Sequence, residues 1–74
     1  MMSKQTGKVK WFDAEKGFGF IQPDEGGKDI FCHRNNIENL GFQEGLEDGE
    51  AVEFNVEETP KGLSATDVVS LIYE

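Results

Sequence analysis

The sequence has few of the residues that build disulfides, metal sites and covalent catalytic centres. Its 74 residues include one cysteine, Cys32, and one histidine, His33. A lone cysteine forms no internal disulfide and is typical of proteins from reducing compartments. A zinc site needs about four ligands, and a Cys–His pair must share one face, which neighbours on a strand do not. We therefore expect no metal, no cofactor and no enzymatic activity.

Long apolar runs are also missing from the sequence. No run approaches the roughly 18 residues that a membrane span requires. The polar residues 1–7 lack the apolar region of a signal peptide. The length allows one domain at most. We expect a single domain over residues 1–74, with its core at about residues 7–72, in a monomeric cytoplasmic protein that does not bind membranes.

Basic residues are scarce as well, since 7 of them stand against 15 acidic residues and the net charge is −8. Such a charge repels nucleic acid at long range. The charge is unevenly spread, because residues 1–37 hold six basic and five acidic side chains, whereas residues 38–74 hold one basic and ten acidic ones. The acidic half is interpreted as a solvated surface. An alternative is that its loop, residues 38–50, binds a basic protein partner.

The basic half contains a dense aromatic run at residues 16–21 (KGFGFI). If this run is extended, successive side chains alternate between the two faces of a sheet. Phe18 and Phe20 then share one face, and Ile21 lies on the other face with the core. The pattern predicts two phenyl rings on the outer face of a strand, next to the cation of Lys16.

A second run at residues 29–33 (DIFCH) repeats this arrangement. Phe31 and His33 share one face of the predicted strand, and Ile30 and Cys32 share the other. Two adjacent strands of this kind place four flat rings side by side. Flat rings beside cations suit stacked bases and a phosphate backbone, so the two runs indicate a surface for single-stranded nucleic acid.

Alternation and turn residues predict an all-β protein. Five strands are expected at about residues 8–12, 18–22, 28–33, 51–57 and 64–72. Lys10 and Trp11 cannot both face one side of a regular strand, so a bulge is expected there. Residues 34–37 allow no more than one helical turn. Five short strands favour a closed barrel, which leaves no exposed sheet edge, and this resembles the five-stranded antiparallel OB-type barrel.

Three motifs in order, residues 7–12 (GKVKWF), 16–21 and 29–33, resemble the bacterial single-domain proteins of the cold-shock domain family. The match runs from about Gly7 to Leu71. RRM domains share a motif similar to residues 16–21, but they need two helices, which this sequence does not predict. The resemblance implies a protein that binds single-stranded RNA and DNA with little sequence demand. It also implies an RNA chaperone and regulator of transcription or translation, with a role in the cold-shock response.

The resemblance also assigns binding residues. Stacking roles are implied for five rings: Trp11, Phe18, Phe20, Phe31 and His33. Phosphate contacts are implied for Lys10 and Lys16. Two further aromatics are implied at the margins, Phe12 at the edge of the ring surface and Phe42 in a loop that closes on the ligand.

The sequence departs from the family pattern directly after His33. The family usually has an aromatic at this place, whereas this chain has Arg34, followed by Asn35 and Asn36 in place of small residues. The loop before the fourth strand is also one residue longer. A guanidinium is planar and cationic, so Arg34 is expected to compensate by stacking on a base or by pairing with a phosphate.

Overall fold

The computed structural model describes residues 4–38 and 45–72 of the chain. Five strands and one turn of 3₁₀ helix follow one another along these residues. They are β1 (Gln5–Asp13), β2 (Phe18–Pro23), β3 (Ile30–His33), the 3₁₀ turn (Arg34–Asn36), β4 (Ala51–Thr59) and β5 (Gly62–Ser70). The all-β prediction is confirmed, although β1 and β4 are longer than predicted and β3 begins two residues later.

The five strands close into a barrel in the order β1-β2-β3-β5-β4. Four of the contacts between neighbouring strands are antiparallel. The contact between β3 and β5 is parallel and short, with Phe31 opposite Ser64 and Cys32 opposite Ala65. The predicted OB-type barrel is therefore confirmed, with one parallel contact between its strands.

The barrel interior is filled by apolar side chains from all five strands and from the segments between them. These are Val9, Ile21, Ile30, Cys32, Ile37, Leu46, Val52, Phe54, Ala65 and Val68. Strand β4 shows how alternation selects them, because Val52 and Phe54 are fully buried while Glu53 and Asn55 are partly exposed. Burying a large apolar side chain contributes roughly 1.5–3 kcal/mol, so the alternating residues drive barrel closure.

Strand β1 contains the expected bulge at Lys10. Val9 pairs with Ile21, whereas Trp11 pairs with Phe20, so two residues of β1 span one residue of β2. A bulge inserts one unpaired residue and changes which face the following side chains occupy. Lys10 and Trp11 are therefore both exposed, although Val9 is buried.

The segment before β4 is fastened to β1 and β5 by a buried carboxylate. Glu50 is 3% exposed. Its Oε1 accepts the backbone N–H of Glu47 at 2.9 Å, and its Oε2 accepts the hydroxyl of Ser70. The backbone of Val9 donates to the carbonyl of Glu50 at 2.9 Å. These bonds position the last residues of the acidic loop, whose residues 39–44 lie outside the described part of the chain.

The described residues contain no helix long and apolar enough to cross a membrane.

Candidate nucleic-acid interface

The outer face of β1, β2 and β3 carries a continuous layer of rings, which we call the ring platform. Its members are Trp11, Phe18, Phe20, Phe31 and His33. Ring centroids lie 5.4 Å apart for Trp11–Phe20, 5.9 Å for Trp11–Phe18, 5.7 Å for Phe18–Phe31, 5.8 Å for Phe20–Phe31 and 6.4 Å for Phe31–His33. Trp11 is 39% exposed, and the other four rings are half-buried. The rings therefore lie together on the outer face, as predicted, with Trp11 exposed and the other four partly exposed.

Strand register brings these rings together. Phe20 lies opposite Trp11 on β1 and opposite Phe31 on β3, while Phe18 lies opposite His33. The inward-facing neighbours, such as Ile21 and Cys32, are anchored in the core. Because each outer ring alternates with a buried residue, the core fixes the strand positions that carry the platform.

Gly19 allows β1 and β2 to approach closely beneath the platform. A Cβ atom at this position would lie 2.6 Å from the Cα of Phe12 and would also clash with the carbonyl oxygen of Trp11. Both of these are backbone atoms, so no side-chain rotation could relieve the contact. A glycine is required here by space.

His33 is oriented by the turn that follows it. Its Nδ1 accepts the backbone N–H of Asn35 at 3.0 Å, so that His33 caps the 3₁₀ turn. The neutral imidazole then carries its hydrogen on Nε2, the other ring nitrogen. Nε2–H is a hydrogen-bond donor at the edge of the platform.

The two lysines that were expected at phosphates differ in their surroundings. The Nζ of Lys10 forms an ion pair with Oδ2 of Asp29 at 2.8 Å. Lys16 is exposed in the turn between β1 and β2. That turn is held by Asp13, whose Oδ1 accepts the backbone N–H groups of Glu15 and Lys16 at 3.0 and 3.1 Å. Lys16 is therefore available to a ligand, whereas Lys10 must first leave a carboxylate.

Phe12 is not part of the ring platform. It follows the bulge, packs against the barrel core and is half-buried. A Cβ atom added to Gly45 would lie 2.5 Å from Cδ2 and Cε2 of its ring. The ring of Phe12 thus packs against Gly45, near the end of the acidic loop. Phe42, the other aromatic expected at the margin of the site, lies outside the described residues.

Arg34 directly follows His33, at the Phe18–His33 end of the platform. It is exposed, and its backbone N–H donates to the carbonyl of Gly17 at 2.8 Å. The structure therefore places the guanidinium-bearing residue next to the turn that contains Lys16.

A groove of about 590 Å³ continues the platform on the side of Phe20 and Phe31. It is also lined by Lys61 in the turn between β4 and β5, by Leu63 at the start of β5 and by Lys28. Sequence reasoning did not find these three residues. The only available signals were a lysine in each of two glycine-containing turns, and nothing local shows that these turns meet across the parallel β3–β5 contact.

Cys32 lies in the core directly behind the platform and is 1% exposed. Burial raises the pKa of its thiol to about 12. The thiol therefore stays protonated and unreactive at neutral pH, as expected of a small core residue. Within residues 4–38 and 45–72, no cluster of three or more His, Cys, Asp or Glu side chains could hold a metal ion.

A five-stranded barrel with an outward layer of rings on its first three strands defines a class of small β-barrel proteins. Within that class, the "Cold-shock" DNA-binding domain model matches residues 5–71 of this chain. The chain therefore belongs to the cold-shock domain family.

Known relatives resemble the chain along almost its whole length. It is 51% identical to the cold shock-like protein CspE of Buchnera aphidicola subsp. Acyrthosiphon pisum over 70 residues, which is 95% of this chain and 100% of the relative. It is also 51% identical to the cold shock-like protein CspB of Yersinia pestis over 71 residues, 96% of this chain and 100% of the relative.

A solved structure, drosophila Unr CSD456, has the same fold, with a TM-score of 0.74 at 23% identity. That alignment covers 93% of this chain and 27% of the longer one.

Proposed function

We propose that this protein binds single-stranded RNA and DNA by stacking unpaired bases on the ring platform. The contiguous exposure of five rings is the observation that carries the proposal. An exposed aromatic patch of this kind usually marks a binding site. Each stacked base contributes about 1–3 kcal/mol, so a few rings offset the general repulsion by a net charge of −8.

The proposed mechanism is a shift of RNA from folded to open forms. Bases that lie on the platform cannot pair with another strand at the same time. The protein therefore lowers the free energy of open strands relative to stems, and it does so without a covalent step. Such an RNA chaperone can regulate transcription or translation, including during cold shock.

The rest of the proposal concerns the setting in which the protein works. It acts as a monomer with a single cold-shock domain, whose core spans about residues 7–72. We place it in the cytoplasm, because its one cysteine is a free, buried thiol, which fits a reducing compartment.

Fluorescence titration tests the proposal directly, because Trp11 is the only tryptophan in the chain and lies on the platform. Heptathymidine and heptauridine should quench Trp11 emission at micromolar protein, since a stacked base quenches indole. A closed duplex should give little response, because its bases are already stacked. Absence of quenching by both oligomers would exclude the platform as a binding surface.

A further inference from the structure

The described basic side chains fall into two groups, those that form an ion pair with a carboxylate and those that do not. Among the described residues, Lys4 pairs with Glu53 at 3.7 Å, Lys8 with Asp24 at 3.2 Å and Lys10 with Asp29 at 2.8 Å. The other basic side chains form no ion pair with a described residue. They are Lys16, Lys28, Arg34 and Lys61. None of these four side chains is held by a carboxylate of the described residues.

The unpaired cations flank the ring platform at its two ends. Lys28 and Lys61 line the groove beside Phe20 and Phe31. Lys16 and Arg34 lie at the opposite end, where Phe18 is paired with His33. The platform therefore has a pair of cations at each end.

Lys16 and Arg34 are adjacent through Gly17. The backbone N–H of Arg34 donates to the carbonyl of Gly17 at 2.8 Å. A Cβ atom at Gly17 would lie 3.7 Å from the Cβ of Arg34, so the two side chains start from neighbouring backbone positions. Gly17 has a φ of +82°, a backbone conformation that favours glycine.

Two carboxylates share this turn with the cations, and neither forms an ion pair with Lys16 or Arg34. Asp13 is engaged by the backbone N–H groups of Glu15 and Lys16. Glu15 is exposed and forms no ion pair with a described residue. Neither cation is therefore held by a carboxylate of this turn. Both can donate charge-assisted hydrogen bonds, which is the chemistry that a phosphate requires.

We propose that Arg34 and Lys16 form a phosphate subsite at the Phe18–His33 end of the platform. This inference rests on the proposed function and specifies how one end of the bound strand is held. An aromatic side chain at position 34 would stack on one more base. In this chain the guanidinium of Arg34 binds the phosphate backbone of the strand instead. The strand is thus anchored by charge at the end where stacking stops.

Salt dependence of heptathymidine binding tests the subsite. Each phosphate contact to a single strand contributes about 0.7 to the slope of log affinity against log salt. Arg34→Gln, Arg34→Phe and Lys16→Gln should each lower this slope by about 0.7, so that a tenfold rise in salt costs roughly fivefold less affinity than in the wild type. Lys8→Gln is the matched control, since it removes one charge from a lysine paired with Asp24 and should leave the slope unchanged.

A second measurement locates the phosphate. Heptathymidines with one neutral methylphosphonate linkage, moved stepwise along the oligomer, are titrated against wild type and Arg34→Phe. One linkage position should weaken binding to the wild type more than binding to Arg34→Phe, in which only Lys16 still faces that phosphate. Because Arg34 is exposed, its variants should unfold at the wild-type temperature.

The outcomes separate the subsite from the wider proposal. Equal salt slopes for wild type and the Arg34 variants, with binding intact, would overturn the subsite and leave platform binding standing. Weaker binding of guanine-containing oligomers by the Arg34 variants, without a change in slope, would show that Arg34 reads a base, which also overturns the subsite. If Lys8→Gln lowered the salt slope by the same amount, the change would reflect net charge alone, and the subsite would be overturned. Failure of the wild type to bind any oligomer would overturn both proposals.

Discussion

At the scale of single residues, ring position separates phenylalanines that should bind from those that stabilise the fold. Phe31 lies in the middle of the platform, within 6.4 Å of the rings of Phe18, Phe20 and His33. Phe54 is completely buried in the barrel. Both are strand phenylalanines, and alternation alone assigns them to opposite faces.

Replacing Phe31 with alanine should therefore weaken binding of heptathymidine by about 5- to 150-fold, the equivalent of 1–3 kcal/mol for one stacked base. Its effect on the unfolding temperature should be small, because the ring is partly exposed. Phe54→Leu is the control, and it should lower the free energy of unfolding by about 1–3 kcal/mol with unchanged affinity. Titrations and thermal melts of both variants measure this. Unchanged affinity in Phe31→Ala would contradict the stacking role.

At the scale of strands, the sequence predicted most of the architecture that matters for the site. Alternation in residues 18–21 and 30–33 predicted which side chains turn inward, because a strand has a side-chain period of two. The bulge was predictable as well, since Lys10 and Trp11 both had to be exposed after the buried Val9. These are local patterns, and they require no knowledge of the partner strand.

Contacts between strands far apart in the chain could not be predicted in this way. The ion pair between Lys10 and Asp29 depends on the packing of β1, β2 and β3 around the bulge. Phe12 was predicted at the edge of the ring surface, and its packing against the core and close to Gly45 depends on contacts outside its own strand. The groove exists because Lys61 is brought to Phe31 through the parallel β3–β5 contact, which no turn signal encodes.

The close approach of β1 and β2 makes Gly19 sensitive to the smallest substitution. Gly19→Ala would push its Cβ into the backbone of β1, which should separate β1 from β2 and lower the free energy of unfolding by about 1–3 kcal/mol or more. It should also weaken oligomer binding, because the rings on these strands would become disordered. Gln22→Ala on the same strand is the control, because Gln22 is exposed and should tolerate the change. Denaturant unfolding measures both. A Gly19→Ala protein as stable as the wild type would contradict this prediction, because it would show that β1 and β2 can separate without loss of stability.

At the scale of the whole molecule, two electrostatic effects oppose each other. The net charge of −8 repels a polyanion at long range. The four unpaired cations around the platform attract it at short range. Added salt screens both effects, so the loss of attraction is partly offset by the loss of repulsion.

The affinity for a short oligothymidine should therefore fall only gently with salt. Four phosphate contacts at about 0.7 each set a slope of about −2.8 as the steepest expected value, and screening of the repulsion makes the measured slope shallower. Fluorescence titrations of wild type at several salt concentrations measure it. A slope clearly steeper than −2.8 would mean that the paired lysines also bind phosphate, with Lys10 leaving Asp29 when the strand arrives. In that case charge, rather than the rings, would supply most of the affinity.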